Sequence, residues 1–213
     1  MAHRILIVTS VQAEADAIGR PSGAFVVVGG IGKTNAASAT TATIMSEGPF
    51  AYVINAGVAG SLPKSSLSLG DIIVASKCVY AEEGIETPEG FQTIEQMGFS
   101  LGNFSGNVVP VHPWMLERLT AIGTVAPIAT VATCSGTDAR AAMVQKRTNC
   151  VCEAMEGAAV IHAAHRVGAP AIEIRSISNT TGDRDSQEWN IEFALQNLGD
   201  AVRKSINALW GES

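Results

Sequence analysis

The sequence predicts a three-layer α/β domain in which helices cover both faces of a sheet. Two observations carry this expectation. Short runs of Val, Ile and other apolar residues alternate with small-residue stretches of helical character along the chain. Those runs are almost continuously apolar, as in strands buried on both faces, whereas a sheet with one wet face would alternate. With 213 residues, 46% of them hydrophobic, the chain can bury one substantial core, and a single domain over residues 1–213 is expected.

In chain order, strands are predicted at residues 5–9, 24–28, 52–56, 71–80, 125–133 and 171–178, where β-branched residues cluster between turn formers. Helices are predicted at 33–46, 113–122, 138–147, 156–167 and 186–209. Residues 81–108 are rich in Gly, Glu, Pro, Asn and Ser and read as an irregular excursion, long enough to form a substrate lid. No internal repeat or low-complexity tract is present.

There are 20 acidic against 14 basic residues, and the Lys and Arg are scattered, so the electrostatic footprint of a nucleic-acid binder is missing. A small molecule is the expected partner, with no nucleic acid and no membrane. The start, Met-Ala-His-Arg before Ile5 to Val8, lacks the long apolar region of an export signal. No apolar run approaches the roughly 20 residues that span a bilayer. A cytoplasmic protein is therefore expected. Cys78, Cys134, Cys150 and Cys152 stand in or beside apolar stretches, the placement of reduced thiols. Cys150 and Cys152 lack a second ligand pair at zinc spacing, and His162 and His165 lack the Glu of a zinc-protease motif, so no metal is expected.

Four segments carry candidate chemistry, three of them at predicted strand ends. Gly29 to Thr34 links a strand to a helix, where glycines let a backbone approach a polar or anionic ligand. A nucleotide-triphosphate loop would also need glycine at Val27, and a plain tight turn is the competing account. Asn55 to Ser61 ends another strand, placing glycines in the crevice outside the strand C-termini. Glu153 and Glu156 precede a small-residue helix; Glu156 is either a dipole partner or a partly buried acid that needs donors. Ser178 to Asp185 is a dense polar cluster after an apolar strand, fit for a site or for a loop in which Asp185 or Ser186 caps the last helix.

Taken in order, the strand ending near Glu14, Gly-x-Gly-Lys at 30–33, Asn-x-Gly-x-Ala-Gly at 55–60, Leu-Gly-Asp-Ile at 69–72, Met-Glu-Gly-Ala-Ala at 155–159 and Arg-x-Ile-Ser-Asn at 175–179 resemble the nucleoside phosphorylase and nucleosidase superfamily. The match covers nearly the whole chain, and the 178–185 segment resembles the futalosine hydrolase branch. This resemblance implies an α/β/α fold around a mixed, partly barrel-like sheet. It also implies hydrolysis of futalosine to hypoxanthine on a menaquinone route, no metal or organic cofactor, and a homo-oligomer. By the same resemblance, Glu156 grips the ribose 2′ and 3′ hydroxyls, Glu14 orders or deprotonates the attacking water, and Met155 packs on the ribose. Backbone groups at Ala59 and Gly60, with Thr133, Ser135 and Thr137, are implied to line the pocket.

Two departures from the adenine-cleaving members sharpen the expectation. Those members carry Asp where this chain has Asn179, and an amide cannot protonate a purine, though it can donate to N7 and meet a 6-oxo group. Asn179 therefore suits hypoxanthine, with Asp183 as a candidate proton source. No aromatic stands at 135–140, where methylthioadenosine nucleosidases stack a Phe on the base, so Phe91, Trp189 or an apolar surface must serve. The loop from Thr9 to Glu14 has no Arg, and a carboxylate there repels phosphate and suits water. A 6-oxopurine phosphorylase, a methylthioadenosine nucleosidase and a non-catalytic nucleoside-binding protein are the rival readings.

Overall fold

β1 (Ile5–Thr9) is buried at every residue and pairs in parallel with its neighbours on both sides, β2 (Ala24–Val28) and β3 (Tyr52–Ser61), in a computed structural model that describes residues 4–211. Between them run α1 (Gln12–Ile18) and α2 (Lys33–Glu47). β4 (Ile72–Tyr80) is followed by a small separate hairpin of β5 (Gly84–Thr87) and β6 (Gly90–Thr93), and then by β7 (Val108–Pro110), which pairs with β4. The remaining elements are α3 (Pro113–Leu119), β8 (Thr124–Thr130), α4 (Asp138–Thr148), β9 (Cys152–Ala154), α5 (Gly157–Arg166), β10 (Ala171–Thr180) and α6 (Ile191–Trp210).

The sheet is mixed and closes on itself. β3 pairs with β10, β10 with β4, β4 with β8, β8 with β9, and β9 returns to β3, so five strands form a barrel from which β1 and β2 extend. Ile54, Ile73, Val74, Ile128, Ile172 and Ile174 are fully buried in the core. α2 packs on α5 in one helical layer, and α1 and α3 pack on α6 in another. The predicted layered architecture and the barrel-like sheet implied by the resemblance are both present. Among the described residues no helix is long and apolar enough to cross a membrane. Residues 1–3 of the predicted charged start lie outside the described residues.

Five sequence expectations need correction. β3 does not end at residue 56 but continues to Ser61, because its glycine-containing end pairs with β10 and β9. β8 stops at Thr130, not 133, leaving residues 131–137 free to loop over the barrel mouth. Glu14 lies not in a loop but in the first turn of α1, a seven-residue helix too short to show periodicity. Residues 81–108 are not wholly irregular, since they hold the β5–β6 hairpin and reach β7. The last helix starts at Ile191 with Asn190 as its cap, whose side chain accepts from Phe193 N at 3.2 Å; neither Asp185 nor Ser186 caps it. Residues 187–190 run beside β10 instead, with Thr180 N donating to Glu188 O and Asn190 N to Ser178 O.

Candidate active site

The ends of β1, β3 and β10 and the 131–137 loop enclose a cavity of about 390 Å³. Such a crevice at strand ends is where open α/β sheets bind ligands. It brings together Glu14, Ala59, Gly60, Ser135, Met155, Glu156 and Asn179. The lining also includes Ser10, Val58, Glu153, Arg175, Gln187 and Trp189.

Glu14 is held by backbone alone. Its Oε2 accepts from Ser10 N at 2.8 Å and Val11 N at 3.3 Å, and its Oε1 from Val58 N at 2.9 Å. The side chain is buried, and the bond to Val11 also satisfies a free N–H at the start of α1. Helix, β1 loop and β3 thus converge on one carboxylate.

Glu156 sits immediately before α5. Its Oε1 accepts from Gly32 N at 2.9 Å, and its Oε2 from Arg175 Nη2 at 3.2 Å. The glycine turn therefore presents its N–H to the protein's own acid, and Gly32 reaches that position at φ +90°. Hydrogen-bonding capacity remains on both oxygens for hydroxyls of a ligand.

Arg175 ties these acids into one network. Its Nε donates to Glu173 Oε1 at 2.8 Å, its Nη2 to Asn55 Oδ1 at 2.6 Å, and its Nη1 to Val58 O at 3.3 Å. Burial alone would lower its pKa, but Glu173 first, then Glu156 and Glu14, hold the guanidinium above its ordinary value. Cys78 Sγ donates to the second oxygen of Glu173 at 2.9 Å, and burial together with that carboxylate pushes the thiol well up. A buried ion cluster of this kind tolerates little disturbance.

At the other end of the cavity, Asn179 Nδ2 donates to Thr180 O at 2.8 Å, which fixes the amide with its nitrogen toward that carbonyl. An isolated bridge joins Asn179 to Trp189, whose indole N–H donates to Gln187 Oε1 at 3.2 Å. Trp189 is 43% exposed at the cavity rim, with the Arg184 guanidinium 4.5 Å above its ring. Glu153 accepts from Ser135 N at 2.6 Å and lies within 2.7 Å of Ser135 Oγ.

Three expected residues stand elsewhere. Thr137 caps α4, accepting from Arg140 N, and the Thr133 carbonyl accepts from the Arg140 guanidinium, so both serve the loop rather than the cavity wall. Asp183 Oδ1 accepts from Asp138 N at 3.1 Å, and Asp138 Oδ1 from Asp183 N, a reciprocal clasp between loop and helix that leaves Asp183 outside the lining. Of the two aromatic candidates, Trp189 lines the cavity, whereas Phe91 packs beneath Arg147, 3.8 Å from its guanidinium. Cys134, a free thiol, is exposed on the cavity lining.

Sequence reasoning gave no site role to Arg175 or Glu153, though both stood in segments it named, nor to Ser10 or Gln187. Arg175 had a signal: Glu173 and Arg175 are two apart on an apolar strand, hence on one face, the pattern of a buried ion pair. Among the described residues no group of three or more His, Cys, Asp or Glu converges as metal ligands.

Comparison with known proteins agrees with this architecture. The family model of the Phosphorylase superfamily matches residues 22–211. Futalosine hydrolase of Streptomyces coelicolor is 34% identical, with 94% of each chain covered. That of Acidothermus cellulolyticus is also 34% identical, covering 99% of this chain and 93% of its own. A 5′-methylthioadenosine/S-adenosylhomocysteine nucleosidase of Shewanella oneidensis is 32% identical over 86% of this chain and 80% of its own. Among solved structures, native futalosine hydrolase of Helicobacter pylori superposes with a TM-score of 0.79 at 20% identity, covering 97% of this chain and 98% of its own.

Proposed function

Because this chain belongs to the Phosphorylase superfamily, we propose that it hydrolyses the N-glycosidic bond of a purine nucleoside, with futalosine as substrate and hypoxanthine as the released base. The observation that carries this is Glu14, a buried carboxylate on the cavity wall held by three backbone N–H groups. An ionised carboxylate has roughly four acceptor sites, so one remains to take a proton from a bound water. A phosphate dianion there would face Glu14 and Glu156. Arg175 offsets only part of that charge, since Glu173 shares it and four of its five N–H groups already bond to Glu173, Glu156, Asn55 and Val58 O. Water is the nucleophile that this electrostatic setting admits.

As the C1′–N9 bond lengthens, positive charge grows on the sugar, and Glu156 stabilises it while binding the 2′ and 3′ hydroxyls. Met155 packs on the ribose, Ala59 and Gly60 supply backbone walls, and Asn179 donates its remaining N–H to purine N7. Relatives named futalosine hydrolase, matched over almost the full chain, support the choice of base. We further assign the reaction to menaquinone assembly, carried out in the cytoplasm by a homo-oligomer of one-domain subunits without metal or organic cofactor.

The test is product analysis in phosphate-free buffer. Futalosine should yield free hypoxanthine at a rate that added phosphate does not raise. Base release that requires phosphate, or cleavage of methylthioadenosine with futalosine left intact, would reverse the assignment.

A further inference from the structure

Hydrolysis leaves one step without a residue. The departing purine takes the electron pair of the C1′–N9 bond and needs a proton, which the Asn179 amide cannot give. Asp183, the acid expected from sequence, is clasped to Asp138 outside the cavity.

Glu153 occupies the place that this step requires. On β9 it pairs with Gly60 of β3, and on the other side Gly60 pairs with Asn179 of β10. Partners in register share one face of a sheet, so Glu153 and Asn179 stand in one row across a residue with no side chain. Their strands lie about 9–10 Å apart, two strand spacings, and a methyl on Gly60 would come 3.0 Å from Asn179 Nδ2. That methyl would also meet Thr181 Cγ2 at 2.8 Å, so the room for a flat base lies not directly over Gly60 but in the cavity that Gly60, Ser135, Glu153 and Asn179 line together. The Ser135 hydroxyl, on that same lining, is 2.7 Å from Glu153 Oε2.

Resting on the hydrolase reading above, we propose that Glu153 is the acid that protonates the departing purine, acting through the Ser135 hydroxyl. The protonated carboxyl donates to Ser135 Oγ, and Ser135 passes its own proton to the base as C1′–N9 breaks. Water adds to C1′ and loses a proton to Glu14, which returns to Glu153 through solvent, so the sum is addition of one water. Afterwards Ser135 donates to the carboxylate over the same contact, so the relay needs no movement of heavy atoms. Burial raises the Glu153 pKa and Glu82 adds to it, while the Ser135 hydroxyl, the Ser135 N–H and Arg140 pull it down. Cys134, Cys152, Glu156, Arg175 and Arg184 are the other titratable or charged groups close to it and its loop.

Glu153→Gln and Ser135→Ala test this, each assayed on futalosine and on 4-nitrophenyl β-D-ribofuranoside, whose phenolate departs without a proton. Both variants should lose on the order of 100-fold in kcat on futalosine, the usual worth of a general acid, with KM little changed and a far smaller loss on the nitrophenyl riboside. The alkaline limb of kcat/KM should also vanish in Glu153→Gln. Equal losses on both substrates would make Glu153 a merely structural support of the 135 loop and overturn the relay, as would undiminished futalosine cleavage. An unaltered protein that cleaves neither substrate would instead remove the hydrolase reading, and the relay with it.

Discussion

Glu14 and Arg175 meet over Gly57, with no room between them for even a methyl group. A Cβ on Gly57 would lie 2.5 Å from Glu14 Oε1 and collide with Arg175 Nη1. Both acids assigned to the reaction reach the same guanidinium, Glu156 by direct contact and Glu14 across this glycine.

Gly57→Ala should therefore abolish turnover while leaving the surface untouched. Since the methyl must displace either the carboxylate or the guanidinium, a fall in Tm of several degrees should accompany the loss, about 1–3 kcal/mol of overpacking strain. Wild-type kcat in this variant would mean that the two side chains are placed independently.

Glu14→Gln keeps the volume but has one acceptor oxygen for the three N–H groups of Ser10, Val11 and Val58. Steady-state kinetics should show kcat down by roughly 100- to 10,000-fold, as for loss of a general base, with KM nearly constant. Urea unfolding should show a loss of about 1–3 kcal/mol from the unsatisfied donor.

Arg175→Met leaves Glu173 charged and fully buried, with Cys78 as its remaining side-chain donor. Removing one partner of a buried pair costs about 3–5 kcal/mol. The urea midpoint should drop accordingly, and the double variant Arg175→Met with Glu173→Gln should recover part of it.

Asn179→Asp places a carboxylate against the Thr180 carbonyl, which the amide now satisfies at 2.8 Å. That contact favours a protonated acid, the form able to donate to an adenine N7. The ratio of methylthioadenosine to futalosine cleavage should rise by at least about tenfold, equivalent to roughly 1.4 kcal/mol, and most strongly at acidic pH. An unchanged ratio would show that this position does not choose the base.

Glu153 also gives the fold a pH signature. Its folded pKa is raised by burial, so the native state holds the proton more tightly than the unfolded chain. Its stabilising contribution is complete below the ordinary carboxylate pKa and disappears as pH rises through the folded value. Melting temperatures from acid toward neutral pH should fall less in Glu153→Gln than in the parent protein.

The sheet was legible because β1 and most of β4 are apolar runs, for which burial on both faces is the natural explanation, and because β10 sets Ile172, Ile174 and Ile177 among its polar residues. α1 was not, since Gln12 to Ile18 makes two turns, and its anchor is the Glu14 contact with Val58, 44 residues away. β9 was hidden for a similar reason: three residues become a strand only because the barrel closes around them. Glu156 could be singled out as an acid before a small-residue helix, and Glu14 through the family resemblance. Their common partner was half legible: the Glu173–Arg175 spacing marks a buried ion pair, but the reach of Arg175 to Glu14 and Glu156 depends on a register between β3 and β10 that nothing local announces.

Glu14 on the cavity wall is fastened by backbone amides, whereas the helix starts next to the cavity-lining segments at Ile31 and 134–136 are tied together by charged side chains. Lys33, at the start of α2, pairs with Glu83 at 2.6 Å and Glu82 at 3.7 Å, and Glu82 in turn pairs with Arg140 of α4. These side chains are about a quarter exposed, within reach of dissolved ions. Rising ionic strength should thus loosen these ties, and with them the adjoining cavity segments at Ile31 and 134–136, before it touches the chemistry, making substrate capture salt-sensitive while the rate of the bound complex stays level.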